Sequence, residues 1–226
     1  MKKPSYDLFV SYDEKGGALR RFLAEEFAKT HGIKKIWECG LREMKINDLP
    51  PADGIIRVHP IFMQSGITVT KKLPELLADL YTAVGQVPAL EILPVWGGLR
   101  EQWQRVCEFL TSYLTKEVGL LLMVHSVGGG QEACEAREFL HFLKSYRPEW
   151  FELECQIAYF GASPGIDEVC PKMTMQKLLV LPFLVSEGSH YHHDMPRVDQ
   201  IRSFGKEMEL LPSYGVFFVQ ECLKRQ

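Results

Sequence analysis

No C-x-x-C pair occurs among the six cysteines, Cys39, Cys107, Cys134, Cys155, Cys170 and Cys222. Their wide spacing is poor for a zinc ribbon and gives no sign of a dense disulfide framework. Positive charge is not in excess: 26 lysines and arginines face 29 aspartates and glutamates, for a formal net charge of -3. A general nucleic-acid binder needs surplus cations to neutralise a phosphate backbone, which argues against that class. Long apolar runs are missing from the start, "MKKPSYDLFVSYDEKGG", which opens on two lysines and soon returns to charge. It reads as neither a signal peptide nor a membrane span, so a reducing cytoplasm is the expected location. "SVGGG" after a strand lacks both a following Lys-Ser/Thr and the G-x-G-x-x-G spacing, so nucleotide binding is disfavoured too.

What is present suits a globular α/β protein. The 226 residues are 46% apolar and 24% charged, enough to bury a core without disulfides or a structural metal. Short β-rich runs alternate with helical stretches. "YDLFVS", "IKKIWEC", "GIIRVHPIFM" and "ALEILPVW" read as strands, separated or followed by amphipathic helices such as "KLPELLADLYTAVG" and "LREQWQRVCEFLTSYL". The cycle then restarts with strands "VGLLLMVH", "ELECQIAYF", "KLLVLPFLV" and "EMELLPS". Strands of this kind, spaced by helices, predict parallel sheets covered on both faces.

The restart extends to the residues themselves. "VHPIFMQSGITVTKKLP" (Val58 to Pro74) overlays "VLPFLVSEGSHYHHDMP" (Val180 to Pro196) without a gap. "ALEILPVWGGL" overlays "EMELLPSYGVF", matching Glu91 with Glu209, Pro94 with Pro212 and Gly97 with Gly215. "DLFVS" falls on "LLMVH", which sets Ser11 opposite His125. The offsets of 122, 118 and 114 residues are those of a duplication with a few indels. The expectation is two similar halves, 1–115 and 116–226, joined near Thr115 to Val118. Each is a four-stranded, mainly parallel sheet flanked by helices, with a cleft between the halves.

In open parallel sheets ligands bind beyond the carboxyl ends of the strands. In the second half His125 and His190 occupy two such rims, whereas their counterparts in the first half are Ser11 and Thr68. That asymmetry predicts one site per chain. Two imidazoles at neighbouring strand ends suit a divalent metal of intermediate softness, such as iron, cobalt, nickel or zinc. A histidine pair leaves coordination positions open, which suits holding and hand-off better than a structural site. The same rings can accept protons near neutrality.

These features resemble the class II tetrapyrrole chelatases, the sirohydrochlorin cobaltochelatases and ferrochelatases. Their first signature is an apolar strand ending in a histidine before a glycine-rich turn, here "LLMVHSVGGG". The second is a strand of the form P-x-L-x-x-x-x-x-H followed by x-x-H-D-[IM]-P, here met by Pro182, Leu184, His190, His193, Asp194 and Pro196. The resemblance implies that the C-terminal half carries the site and that His125 and His190 are the metal-binding, proton-accepting pair. His193 and Asp194 would support it by fixing ring orientation or by starting the next helix. The implied reaction inserts Co²⁺ or Fe²⁺, as a substrate, into a sirohydrochlorin-type tetrapyrrole without ATP, on a cobalamin or sirohaem route. No permanently bound cofactor, nucleic acid or membrane is implied. Two departures stand out: Ser126 and Val127 precede the glycines, and the glutamate common at the end of the second strand is missing near Gly161. Glu187 and Glu38 are candidate substitutes as oxygen ligand or base. A non-catalytic metal or tetrapyrrole carrier on the same fold is the alternative function.

The other candidates have plainer readings. His192 reads as an exposed neighbour, Asp194 also as a helix N-cap, and His59 as a buried, hydrogen-bonded core histidine. His31 and His141 read as structural. Lys71, Lys72, Arg100 and Arg197 read either as partners for substrate carboxylates or as solvated helix-start charges. Trp96 and Tyr214 read as lining a flat macrocycle pocket or as closing the domain interface.

Overall fold

The computed structural model describes residues 4–12, 17–125, 134–187, 191 and 200–224. They form two four-stranded parallel sheets of identical topology. The first contains β1 (Ser5–Ser11), β2 (Ile36–Gly40), β3 (Ile55–Pro60) and β4 (Ala89–Ile92), in the order β2-β1-β3-β4. The second contains β5 (Val118–His125), β6 (Cys155–Phe160), β7 (Lys177–Phe183) and β8 (Glu207–Leu210), in the order β6-β5-β7-β8. The helices are α1 (Gly17–His31), α2 (Leu73–Thr82), α3 (Arg100–Leu110), α4 (Cys134–Tyr146), α5 (Ile166–Val169), α6 (Gln200–Ser203) and α7 (Tyr214–Lys224). The predicted two-half α/β architecture is therefore present.

Strand ends are set by proline, and in the same way in both sheets. Leu93 N–H donates to Val58 O at 2.9 Å, and Leu211 N–H donates to Val180 O at 2.9 Å. The next residue is Pro94 in one sheet and Pro212 in the other, and neither has an N–H to continue the ladder. β4 and β8 thus stop short of the predicted strands "ALEILPVW" and "EMELLPS".

In the first unit, Leu8, Val10, Ile56 and Val58 present one sheet face to Leu73, Leu77 and Tyr81 of α2. Their i, i+4, i+8 spacing puts all three on one side of that helix. The buried Tyr81 hydroxyl donates to Pro50 O at 2.6 Å, so the ring carries no orphaned donor into the core. On the opposite face Phe27 of α1 meets Phe9 edge-on at 5.8 Å.

In the second unit β5 is buried along its length up to the half-buried His125, as a central parallel strand must be. One face meets α5 and α6 through Ile166, Val169 and Ile201. The other carries an aromatic layer in which Phe139 of α4, Phe183 of β7 and Tyr214 of α7 contact each other at 5.1–5.8 Å. α3 joins this layer: Trp103 meets Phe139, and Phe109 meets Phe217 and Phe218 of α7. The chain accordingly divides into compact units of residues 1–96 and 97–226, and α3 belongs to the second. The expected boundary at 115/116 would have assigned α3 to the first half. Its buried stripe of Trp103, Val106, Cys107 and Leu110 fits the aromatic layer instead.

Candidate functional site

The rim of the second sheet is built from strand ends. His125 closes β5, is half-buried, and lies opposite Phe160 of β6 in the ladder. Strand alternation puts it on the face of Leu121 and Met123, which pack with Ala158, Phe160 and Val180. An open pocket of about 610 Å³ lies against this face, its wall including Met123, Phe160, Gly161, Ser163, Asp167 and Gln200. His190, His192, His193 and Asp194, together with Arg197, lie outside the described residues. Their neighbour Tyr191 is described: it packs against the cluster that contains Met123 and Phe160. Burial pushes its hydroxyl pKa up, and the Glu187 carboxylate adds to the shift.

Glu187 faces the start of α7, where its Oε1 accepts the Ser213 N–H at 3.2 Å. Glu38 belongs to the rim of the first unit. Its Oε1 takes both Nε and Nη2 of Arg21 at 2.7 Å, and its Oε2 lies 3.7 Å from Arg20 Nε. Each proposed oxygen donor is thus already engaged by groups of its own unit.

Near Gly161 the chain has a glycine in the left-handed region, φ 68°, as a sharp exit from β6 requires. The following loop leads into α5, whose first turn brings two carboxylates to the pocket wall, Asp167 and Glu168. Glu168 accepts from Gly165 N–H at 3.1 Å and Ser163 Oγ at 3.1 Å, and these bonds hold its pKa below the usual carboxylate range. Neither residue was among the sequence candidates. The signal available was the Gly165-x-x-Glu168 spacing of a capped helix start.

The first unit shows what the same rim becomes without an imidazole. Ser11, the counterpart of His125, receives a hydrogen bond from Arg20 Nη1 at 3.0 Å. Deeper on that face His59 is the hydrogen-bonded core histidine expected from the sequence. Its Nε2 lies 2.8 Å from Asp7 Oδ1, and its ring stacks on Phe9 at 4.4 Å. Arg57 Nη2 holds the other Asp7 oxygen at 2.7 Å. Burial pulls the His59 pKa down, against the opposing pull of Asp7. His31 stacks on Phe27, a structural role. Tyr214 is fully buried in the aromatic layer of the second unit, so it lines no pocket there. Among the described residues, no group of three or more His, Cys, Asp or Glu is placed to hold a metal ion, and no helix is long and apolar enough to cross a membrane.

No protein-family model and no curated protein sequence matches the chain. Solved structures do. SirB from Bacillus subtilis with Fe³⁺ superposes with a TM-score of 0.70 at 13% identity, over 99% of this chain and 95% of that one. The sirohydrochlorin chelatase SirB from Bacillus subtilis subspecies spizizenii, in complex with cobalt, gives 0.66 at 13% identity, over 100% and 94%. CbiX, the terminal enzyme for siroheme biosynthesis in denitrifying bacteria, gives 0.60 at 19% identity, over 97% and 98%. At such identities the likeness is one of fold. Two parallel sheets of the same topology, matched over nearly the whole of both chains, give this protein the two-half fold of the sirohydrochlorin chelatases.

Proposed function

We propose that the protein inserts a divalent metal, Co²⁺ or Fe²⁺, into a sirohydrochlorin-type tetrapyrrole without ATP, in the cytoplasm. His125 and His190 hold the metal and accept the two pyrrole protons that insertion releases, while His193 and Asp194 orient the rings. Neutral imidazoles suit both tasks, since they bind metals of intermediate softness and titrate near neutrality. The observation that carries the reading is the packing of Tyr191. The residue next to His190 lies against the core face that carries Met123 and Phe160, the face on which His125 falls. Tyr191, one position after His190 in the sequence, thus packs on the side of the sheet where His125 ends β5. The fold supports the same reading, because the chains that share it include a sirohydrochlorin chelatase with cobalt and a terminal enzyme of siroheme biosynthesis.

The test is anaerobic mixing of the protein with sirohydrochlorin and Co²⁺ or Fe²⁺, followed by absorbance. The expected result is acceleration over the uncatalysed rate, lost in His125→Ala and in His190→Ala. No acceleration with either metal overturns the enzyme reading. Tight tetrapyrrole binding without turnover would identify a carrier instead.

A further inference from the structure

The segment that leaves β7 is fastened to the start of α7 at three points. Gly215 N–H donates to Leu184 O at 3.0 Å. A Cβ on Gly215 would sit 2.0 Å from Val185 O, so the two backbones meet where only glycine fits. The third point is the Glu187 carboxylate, which accepts the Ser213 N–H at 3.2 Å. α7 is eleven residues long, and the amides at its start have no partner within the helix. They also carry partial positive charge, so a carboxylate placed there is doubly favoured. On the far side of residues 188–190, Tyr191 packs against the Met123 and Phe160 cluster. Glu187 and Tyr191 are thus each anchored, the first to α7 and the second to the sheet.

We infer that Glu187 is a positioning residue: by accepting the Ser213 amide it fixes the exit of β7 to α7, three positions before His190 in the sequence. This inference rests on the proposed role of His190 as a metal ligand. It gives the carboxylate a task different from coordinating metal or taking a proton, because the required group is a hydrogen-bond acceptor and not a base. An amide oxygen can accept the same N–H. Residues that orient a metal ligand typically cost on the order of 10–100-fold in metal affinity or activity when removed.

The experiment compares Glu187→Ala with Glu187→Gln in the full chain. It reads Co²⁺ affinity by titration, insertion by absorbance, and hydrogen exchange of the Ser213 amide in the metal-free protein. Thermal melts confirm that each variant is folded. The expected result is that Glu187→Ala exposes the Ser213 amide to exchange and weakens Co²⁺ binding about tenfold. Glu187→Gln should keep the amide protected and hold affinity within about threefold of wild type, with an unchanged pH profile of insertion. Equal damage from both variants with the amide still protected in Glu187→Gln would overturn the inference and make the carboxylate itself a ligand or base. An Ala variant with wild-type affinity, or with unchanged exchange at Ser213, overturns it as well. If the wild type inserts no metal, the proposed function fails, while the exchange and Co²⁺ readouts still decide the role of Glu187. Should Glu187→Ala fail to fold, the comparison rests on Glu187→Gln, whose loss of protection or affinity would contradict the inference.

Discussion

Ser11 and Arg20 are joined by a 3.0 Å hydrogen bond at the strand-end position where the second unit has His125. A hydroxyl held by a guanidinium offers a metal little, since the guanidinium repels a cation and stays protonated. The two units share a topology and differ in this chemistry. Ser11→Ala should therefore leave insertion within about twofold of wild type, whereas His125→Ala should lower kcat/KM by about a hundredfold or more, roughly 2.7 kcal/mol of transition-state stabilisation. Steady-state kinetics on the two variants checks the contrast. Equal losses would mean that the first rim also takes part.

His59 should make the first unit sensitive to acid. The ring is buried between Phe9 and Phe27, and it is faced by Asp7, Arg57 and His31. Burial holds its folded pKa below the ordinary value near 6.5, so the unfolded chain binds the proton more readily. Its contribution to stability is thus fully present above about pH 6.5 and is lost as pH falls through the folded value. The slope from this one group cannot exceed about 1.4 kcal/mol per pH unit. Urea melts at pH 7.5 and pH 5 should show the loss, and His59→Phe should flatten it. A wild-type slope unchanged in His59→Phe would assign the acid sensitivity elsewhere.

Gly215→Ala should destabilise the second unit. The added methyl would sit 2.0 Å from Val185 O and 2.8 Å from Val185 C, both backbone atoms that cannot swing aside. The expected cost is about 1–3 kcal/mol in denaturant unfolding, the usual range for overpacking. Stability within error of wild type would show that the β7 exit yields easily.

The thiols should divide sharply in reactivity. Burial pushes Cys39, Cys107 and Cys155 up to about 12 and Cys170 to about 11. Cys222 is buried beside Arg105, and Cys134 is exposed at the start of α4. At pH 8 a thiol reagent should label Cys134 first, at about one equivalent, and the rest only after unfolding. Mass mapping of the labelled site checks this. Fast labelling at Cys107 or Cys170 would contradict the packing around α3 and α5.

Much of this was legible in the sequence for physical reasons. β5 and β7 are buried on both faces, so they had to be apolar throughout, and the polar residue ending such a run marks the rim. The Leu-Pro pairs at 93–94 and 211–212 stood out as a repeat because each ends a ladder in the same way. The partner of α3 was not legible, since an amphipathic stripe states that a helix packs without stating on which layer. The role of Glu187 was hidden likewise. Its acceptor bond reaches Ser213, 26 residues away, and no local spacing encodes that meeting. The pocket carboxylates Asp167 and Glu168 were missed because the expectation was fixed on Gly161 itself, and the chain returns to the same wall several residues later, in α5.

The central claim is that His125 holds the metal. X-ray absorption at the cobalt edge, on protein loaded anaerobically with one equivalent of Co²⁺, tests it most directly. The account predicts imidazole scattering from two rings with nitrogen at about 2 Å, reduced to one ring in His125→Ala with a weakened affinity. A cobalt spectrum unchanged by His125→Ala would contradict it.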